Sequence, residues 1–175
     1  IESGESVSAY MKILEKVIPE NANGKRALVL GTGAGLTGKL LIKKGFTVSG
    51  VEFDPRIIHA ADNFFGNKGN GKIVCMDARR YLNLSKETFD LVLIDLYRAE
   101  EPPVHVVTLE SLEGMKKNLK EGALVVMNWH GYTSGRQGKG TGVIMNTFKR
   151  ASYKVKALSD SPEEDARNIV FVASL

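Results

Sequence analysis

Six positions in the first third of the chain and two in the next have the residue types of a nucleoside pocket. Gly31-Thr32-Gly33-Ala34-Gly35 interrupts the apolar run Arg26 to Leu30 and precedes a helical stretch. Without a Cβ, Gly31, Gly33 and Gly35 let the backbone approach a ligand, and the helix that follows presents unpaired N–H groups. Glu52 stands 21 residues after Gly31, at the end of the next apolar run, where its two oxygens can accept from the hydroxyls of a ribose. Asp77-Ala78 ends a third run. An aspartate there suits the amino group of an adenine and equally the N-cap of a helix, and the sequence leaves both readings open. A dinucleotide fingerprint of the form Gly-x-Gly-x-x-Gly needs glycine where this chain has Leu36, which argues against NAD.

The elements that would position these residues alternate. Val7 to Ile18 carries Val7, Tyr10, Met11, Leu14, Val17 and Ile18 at helical spacing between Ser6, a possible cap, and Pro19. Strands are expected at Arg26–Leu30, Thr47–Phe53, Lys72–Met76, Phe89–Ile94 and Ala123–Asn128, with helices at Leu36–Lys44, Pro55 to about Phe65, Asp77–Leu84 and Val104–Leu119. Strands apolar on both faces, separated by helices, require a mostly parallel sheet with helices on both sides, so the fold class is α/β. A glycine-rich loop over Trp129 to Gly142 leads to a helix (Val143–Ala151) and two strands (Lys154–Leu158, Asn168–Ala173) that read as an antiparallel hairpin on the sheet edge. This is the layout of the Rossmann-like, seven-stranded S-adenosylmethionine-dependent methyltransferase fold. In such a sheet ligands bind at the carboxyl ends of the strands, where Gly31, Glu52 and Asp77 fall.

Composition narrows the function classes. The chain has 175 residues, 43% of them hydrophobic and 25% charged, which suits one domain spanning residues 1–175 with a substantial core. The formal charge of +4 comes from lysines and arginines scattered among acids, so no nucleic acid is expected as a partner. Cys75 is the single cysteine; it permits no internal disulfide or multi-cysteine zinc site, and its apolar surroundings predict a buried strand residue. No metal is expected. No run reaches the length of a bilayer span and no signal-like start is present, so a cytoplasmic protein with no membrane partner is expected. The first residue is Ile1 rather than Met, which suggests processing, a tag or an upstream segment.

The motifs Val-Leu-Gly-Thr-Gly-Ala-Gly, Val-Glu-Phe-Asp-Pro, Met-Asp-Ala-Arg-Arg-Tyr-Leu and Phe-Asp-Leu-Val-Leu-Ile-Asp, in this order, resemble the spermidine synthase (polyamine aminopropyltransferase) family over most of residues 26 to 128. The similarity extends to the spermidine-synthase-like branch in which Asp95 is followed by a Pro-x-His-x-x-Thr segment, here Pro103, His105 and Thr108, and in which strand five ends at a residue such as Asn128. Val29, two positions before Gly31, is apolar as in spermidine synthases, where methyltransferases usually have an acid. The resemblance implies S-adenosylmethionine or its decarboxylated form as co-substrate. Gly31, Thr32, Gly33 and Gly35 would line the sulfonium nucleoside, Glu52 and Phe53 would hold the ribose end, and Asp77 and Ala78 the adenine. Asp95 would contact both co-substrate and amine and act as the catalytic base, with Tyr97, Glu100 and Glu101 on the substrate side. A primary amine near pKa ~10 is protonated at neutral pH and attacks carbon only after a base removes that proton. Glu100 and Glu101 would add to a negative field that gathers a polyamine.

Three features depart from the family pattern. Ala34 replaces an aspartate that would hold the amine of the decarboxylated nucleotide, Arg98 replaces a second aspartate after strand four, and the N-terminal β-hairpin domain is absent from these residues. They favour two alternatives to aminopropyl transfer onto a polyamine: a small-molecule methyltransferase, and a nucleoside-binding module without catalysis. A homodimer remains an expectation of the resemblance. His105, at a helix start, is expected to cap or pack. His130, beside Trp129 and Tyr132, is read as part of a glycine-rich lid or as a surface loop residue.

Overall fold

In the computed structural model of the chain, residues 9–68, 71–97, 104–132, 135, 138–159 and 167–175 are described. Their elements are α1 (Ala9–Val17), β1 (Arg26–Leu30), α2 (Leu36–Lys43), β2 (Thr47–Glu52), α3 (Pro55–Phe64), β3 (Lys72–Cys75), α4 (Ala78–Leu84), β4 (Phe89–Ile94), α5 (Leu109–Met115), β5 (Leu119–Gly131), α6 (Lys139–Arg150), β6 (Lys154–Leu158) and β7 (Arg167–Ser174). Short 3-10 turns at Val104–Val106 and Lys116–Asn118 flank α5. The seven strands form one sheet in the order β3-β2-β1-β4-β5-β7-β6. Strands β1 to β5 are parallel; β7 inserts antiparallel between β5 and β6. This is the α/β Rossmann-like fold of S-adenosylmethionine-dependent methyltransferases, as the motif order implies.

Side-chain alternation along the central strands divides the core. Ala27 and Val29 of β1 and Leu91 and Leu93 of β4 face a cluster built with Leu14 of α1 and Leu40 and Leu41 of α2. Leu28, Leu30, Val92 and Ile94 face the opposite cluster, with Leu82 of α4, Leu112 of α5 and Phe148 of α6. Successive strand residues point to opposite faces, so a strand covered on both sides must be apolar at every position. That holds for β1 from Ala27 and for β4 from Leu91 onward and fails at the sheet edge: β3 has exposed or half-buried residues throughout. Cys75, expected to be buried, is exposed there, because no strand covers β3 on its outer side.

The structure corrects three further boundaries. The helix expected over Val104–Leu119 is broken: the Thr108 hydroxyl accepts from the Ser111 N–H at 3.3 Å and starts α5 anew. Strand β5 begins at Leu119 and continues through Trp129, His130 and Gly131, which sequence reading placed in the loop, because β7 pairs with it as far as Gly131 opposite Arg167. Helix α6 starts at Lys139 rather than Val143, with the Thr141 hydroxyl donating to the Tyr132 carbonyl at 2.6 Å. Ser6 and Val7 lie outside the described residues. Among the described residues no helix is long and apolar enough to cross a membrane.

Candidate functional site

The carboxyl ends of β1, β2, β3 and β4 open into a cavity of about 670 Å³, a size typical of small-molecule sites. Its position follows from the sheet order, which reverses between β1 and β4 and leaves a crevice above their ends.

Gly31 leaves β1 with φ +86°, and a Cβ on it would lie 2.2 Å from the Asp95 carbonyl oxygen. Only glycine lets the turn after β1 pass this close to the end of β4. Gly33 donates its N–H to Glu52 Oε2 at 3.2 Å, and the space where its side chain would stand is open. The other Glu52 oxygen accepts from the N–H groups of Phe53 at 2.8 Å and Asp54 at 3.2 Å. With only 9% of its surface exposed, Glu52 is therefore held by three backbone donors and keeps its orientation in the cavity wall. Two of those bonds fill Oε1 and one falls on Oε2, so Oε2 can still accept one ribose hydroxyl.

Thr32, Ala34, Phe53 and Ala78 also line the cavity. Gly35 does not: it begins α2 with φ +85°, packed so closely on Asn67 that a Cβ would lie 2.1 Å from its Oδ1. Asp54 caps α3, accepting from the Arg56 N–H at 2.9 Å, and pairs with the Arg56 guanidinium. That pairing holds its carboxyl at about 2.

Asp77 settles the two readings left open for it in favour of at least the cap. Its Oδ1 accepts from the Arg80 N–H at 2.9 Å and starts α4, while its Oδ2 lies 3.0 Å from Nε2 of His105. Burial alone would raise this carboxyl; the Arg80 N–H and His105 hold it below the ordinary range. His105, expected only to cap or pack, lines the cavity beside Asp77.

Asp95 follows β4. Its Oδ1 accepts from Asn128 Nδ2 at 3.0 Å and its Oδ2 from the Tyr10 hydroxyl at 3.2 Å. Burial pushes its carboxyl up, against the opposing hydrogen bonds of Asn128, Tyr10 and Thr37. The Tyr97 hydroxyl donates to the Asn128 carbonyl at 3.4 Å, and burial together with the Asp95 charge pushes Tyr97 up to about 12. Glu100, Glu101, Pro103 and Arg98 lie outside the described residues. His130 is exposed on β5 and is not among the cavity's lining residues.

The cavity thus gathers Gly31, Thr32, Gly33, Glu52, Phe53, Asp77, Ala78, Asp95 and Tyr97 from the expected set. Sequence reading missed Tyr10, Thr37, Ile57, Met76 and Val106. Tyr10 carried a signal: it is the one residue with a hydroxyl on the apolar stripe of α1, and a partly buried hydroxyl needs a partner. Among the described residues no group of three or more histidines, cysteines or carboxylates is placed to hold a metal ion.

A methyltransferase domain family model matches residues 27–122, more than half of the chain. Among curated proteins, an N-terminal histidine N-methyltransferase of Emericella nidulans is 29% identical over 65% of this chain and 21% of its own length. A probable polyamine aminopropyl transferase of Bifidobacterium longum is 26% identical over 68% of this chain and 27% of its own. The chain therefore spans about a fifth to a quarter of the length of these two relatives. Among solved structures, a probable spermidine synthase from Corynebacterium glutamicum superposes with TM-score 0.80 at 18% identity, covering 99% of this chain and 67% of that one. Human methyltransferase-like protein 13, solved in complex with SAH, gives 0.68 at 19% identity over 94% and 75%. Both structural likenesses concern the fold. With the glycine turn and the strand-end acids all in the matched segment, the chain belongs to the methyltransferase domain family.

Proposed function

We propose that this chain transfers an aminopropyl group from decarboxylated S-adenosylmethionine to an amine, with Asp95 as the base. The geometry of Asp95 carries the reading. Its partners Tyr10 and Asn128 are neutral donors, so its charge stays available to a cationic amine. Burial raises its affinity for a proton, as a base for an ammonium requires.

The surrounding charge supports the same reading. Among the described residues, Glu52, Asp54, Asp77 and Asp95 line the cavity with one guanidinium, that of Arg56, which is paired with Asp54. Such a field favours a sulfonium and a polyamine, both cations. The nucleoside fits the residues present: Glu52 is fixed to accept from a ribose hydroxyl, Gly33 leaves space beside it, and Ile57, Met76, Ala78 and Val106 offer apolar surface for a purine. The bound nucleotide would supply an electrophilic carbon next to sulfur and a thioether leaving group. Asp95 would orient the ammonium, take its proton before the freed nitrogen lone pair attacks that carbon and the carbon–sulfur bond breaks, and pass the proton to solvent through the cavity mouth.

Methyl transfer from intact S-adenosylmethionine is the second reading, and Ala34 favours it. At the cavity wall this residue offers a methyl group where the amine of a decarboxylated nucleotide would benefit from a carboxylate. Incubation with putrescine and either nucleotide, followed by mass spectrometry, separates the two. Spermidine and methylthioadenosine formed by the wild type and lost in Asp95→Asn are expected. Methylated amine and S-adenosylhomocysteine would replace this reading with the second, and no product from either nucleotide would leave a binding module without catalysis.

A further inference from the structure

We propose that His105 is the positioning residue that makes the cavity select a purine bearing a 6-amino group; the inference rests on the adenosyl-nucleotide reading above. Asp77 is ionised at neutral pH, since hydrogen bonds hold its carboxyl below the ordinary range. A carboxylate only accepts, so the imidazole nitrogen 3.0 Å from Oδ2 carries the proton. This bond fixes the tautomer of His105 and the rotation of the carboxylate together.

Oδ1 of Asp77 accepts from the Arg80 N–H at 2.9 Å and Oδ2 from the imidazole, with the Arg79 N–H also directed at the carboxylate. A carboxylate oxygen can accept twice, so a fixed acceptor remains on a residue of the cavity wall. An exocyclic amino group donates to it. A 6-oxo group in the same place sets lone pair against lone pair and is rejected. The arrangement is braced from the backbone side as well, because the Arg79 guanidinium donates to the His105 carbonyl at 3.2 Å and ties the Val104–Val106 turn to the start of α4. The N-cap alone does not do this: it holds Oδ1 and leaves Oδ2 to solvent. The His105 imidazole on the carboxylate and the Arg79 guanidinium on the His105 carbonyl thus fix Asp77 at the cavity wall from two separate segments.

The test compares Kd for 5′-methylthioadenosine and 5′-methylthioinosine on the wild type, His105→Phe, His105→Gln and Glu52→Ala, each checked for an intact thermal transition. The wild type is expected to prefer the adenosine compound by about tenfold to a hundredfold, the range of one hydrogen bond to a charged group. His105→Phe, which fills the space without a donor, should bring the ratio to within about threefold, and His105→Gln, whose amide can donate to Asp77, should restore most of it. Glu52→Ala should weaken both compounds alike and leave the ratio unchanged. A wild type that binds both equally, or a His105→Phe ratio equal to that of the wild type, overturns the role of His105 alone. A wild type that binds neither overturns the nucleotide reading, and the inference with it.

Discussion

The Tyr10 hydroxyl, on the first helix, donates to the Asp95 carboxylate, just past the fourth strand, across a sequence separation of 85 residues. Helix α1 therefore completes the cavity as well as covering the sheet. Because this bond lowers the Asp95 carboxyl against the effect of burial, Tyr10→Phe should move the acid limb of the pH–rate profile to higher pH. Loss of one positioning hydrogen bond should lower kcat by about tenfold. An unchanged acid limb would separate Tyr10 from the chemistry.

Burial of the Asp95 carboxyl raises its pKa at a cost to the fold. A carboxyl whose pKa is raised on folding stabilises the protein below its unfolded pKa of ~3.9, and that stabilisation is lost as pH rises through the folded value. Asp95→Asn, which can still accept from Tyr10 or Asn128, should therefore raise Tm at pH 7 while abolishing turnover. The gain should vanish near pH 3.5, where both side chains are neutral. Melting curves at the two pH values check this, and a variant less stable than the wild type at pH 7 would contradict it.

Gly31 and Gly33 separate folding from binding. An alanine at Gly31 combines φ +86° with a Cβ 2.2 Å from a main-chain oxygen, and should cost more than about 3 kcal/mol. At Gly33, φ is +48° and no atom lies within 4 Å of the added Cβ, so the cost should be about 1 to 2 kcal/mol. Gly33→Ala should fold, since its methyl enters open space, and lose nucleotide affinity at least tenfold. Denaturant titration and calorimetry on both variants give the comparison.

Much of this arrangement was legible in the sequence. Strands β1 and β4 declared themselves because a strand between two helical layers is apolar along its centre; the glycine turn, Glu52 and Asp77 were found because each follows an apolar run, and Asp95 through the family resemblance. The edges were not legible on the same grounds. Cys75 sits in an apolar run yet is exposed, since burial of a strand residue depends on a neighbour that sequence order does not name. Trp129 to Gly131 read as loop because their strand pairing is supplied by β7, some 40 residues later. The roles of His105 and Tyr10 were missed for a related reason: their partners Asp77 and Asp95 come from distant segments, so the Tyr10 hydroxyl signalled that a partner exists without naming it.

Lys44 anchors the helix that carries Tyr10. It is only 5% exposed, and its ammonium donates to the Glu15 carbonyl at 2.8 Å and pairs with Glu20. Lys44→Met keeps the apolar stem and removes the charge-assisted bond to the end of α1, which should cost about 1 to 3 kcal/mol. If α1 is positioned this way, the same variant should weaken amine binding more than nucleotide binding, a difference that KM values for the two substrates would display.

The account rests on a cavity that binds an adenosyl sulfonium through Glu52 and prefers its decarboxylated form. Calorimetric titration of decarboxylated S-adenosylmethionine, S-adenosylmethionine and methylthioadenosine into the wild type and Glu52→Ala tests it most directly. The expected result is binding of the decarboxylated nucleotide at least tenfold tighter than of S-adenosylmethionine, with methylthioadenosine also bound and all heats greatly reduced in the variant. Tighter binding of intact S-adenosylmethionine would contradict aminopropyl transfer in favour of methyl transfer, and absence of binding by all three would contradict the nucleotide site itself.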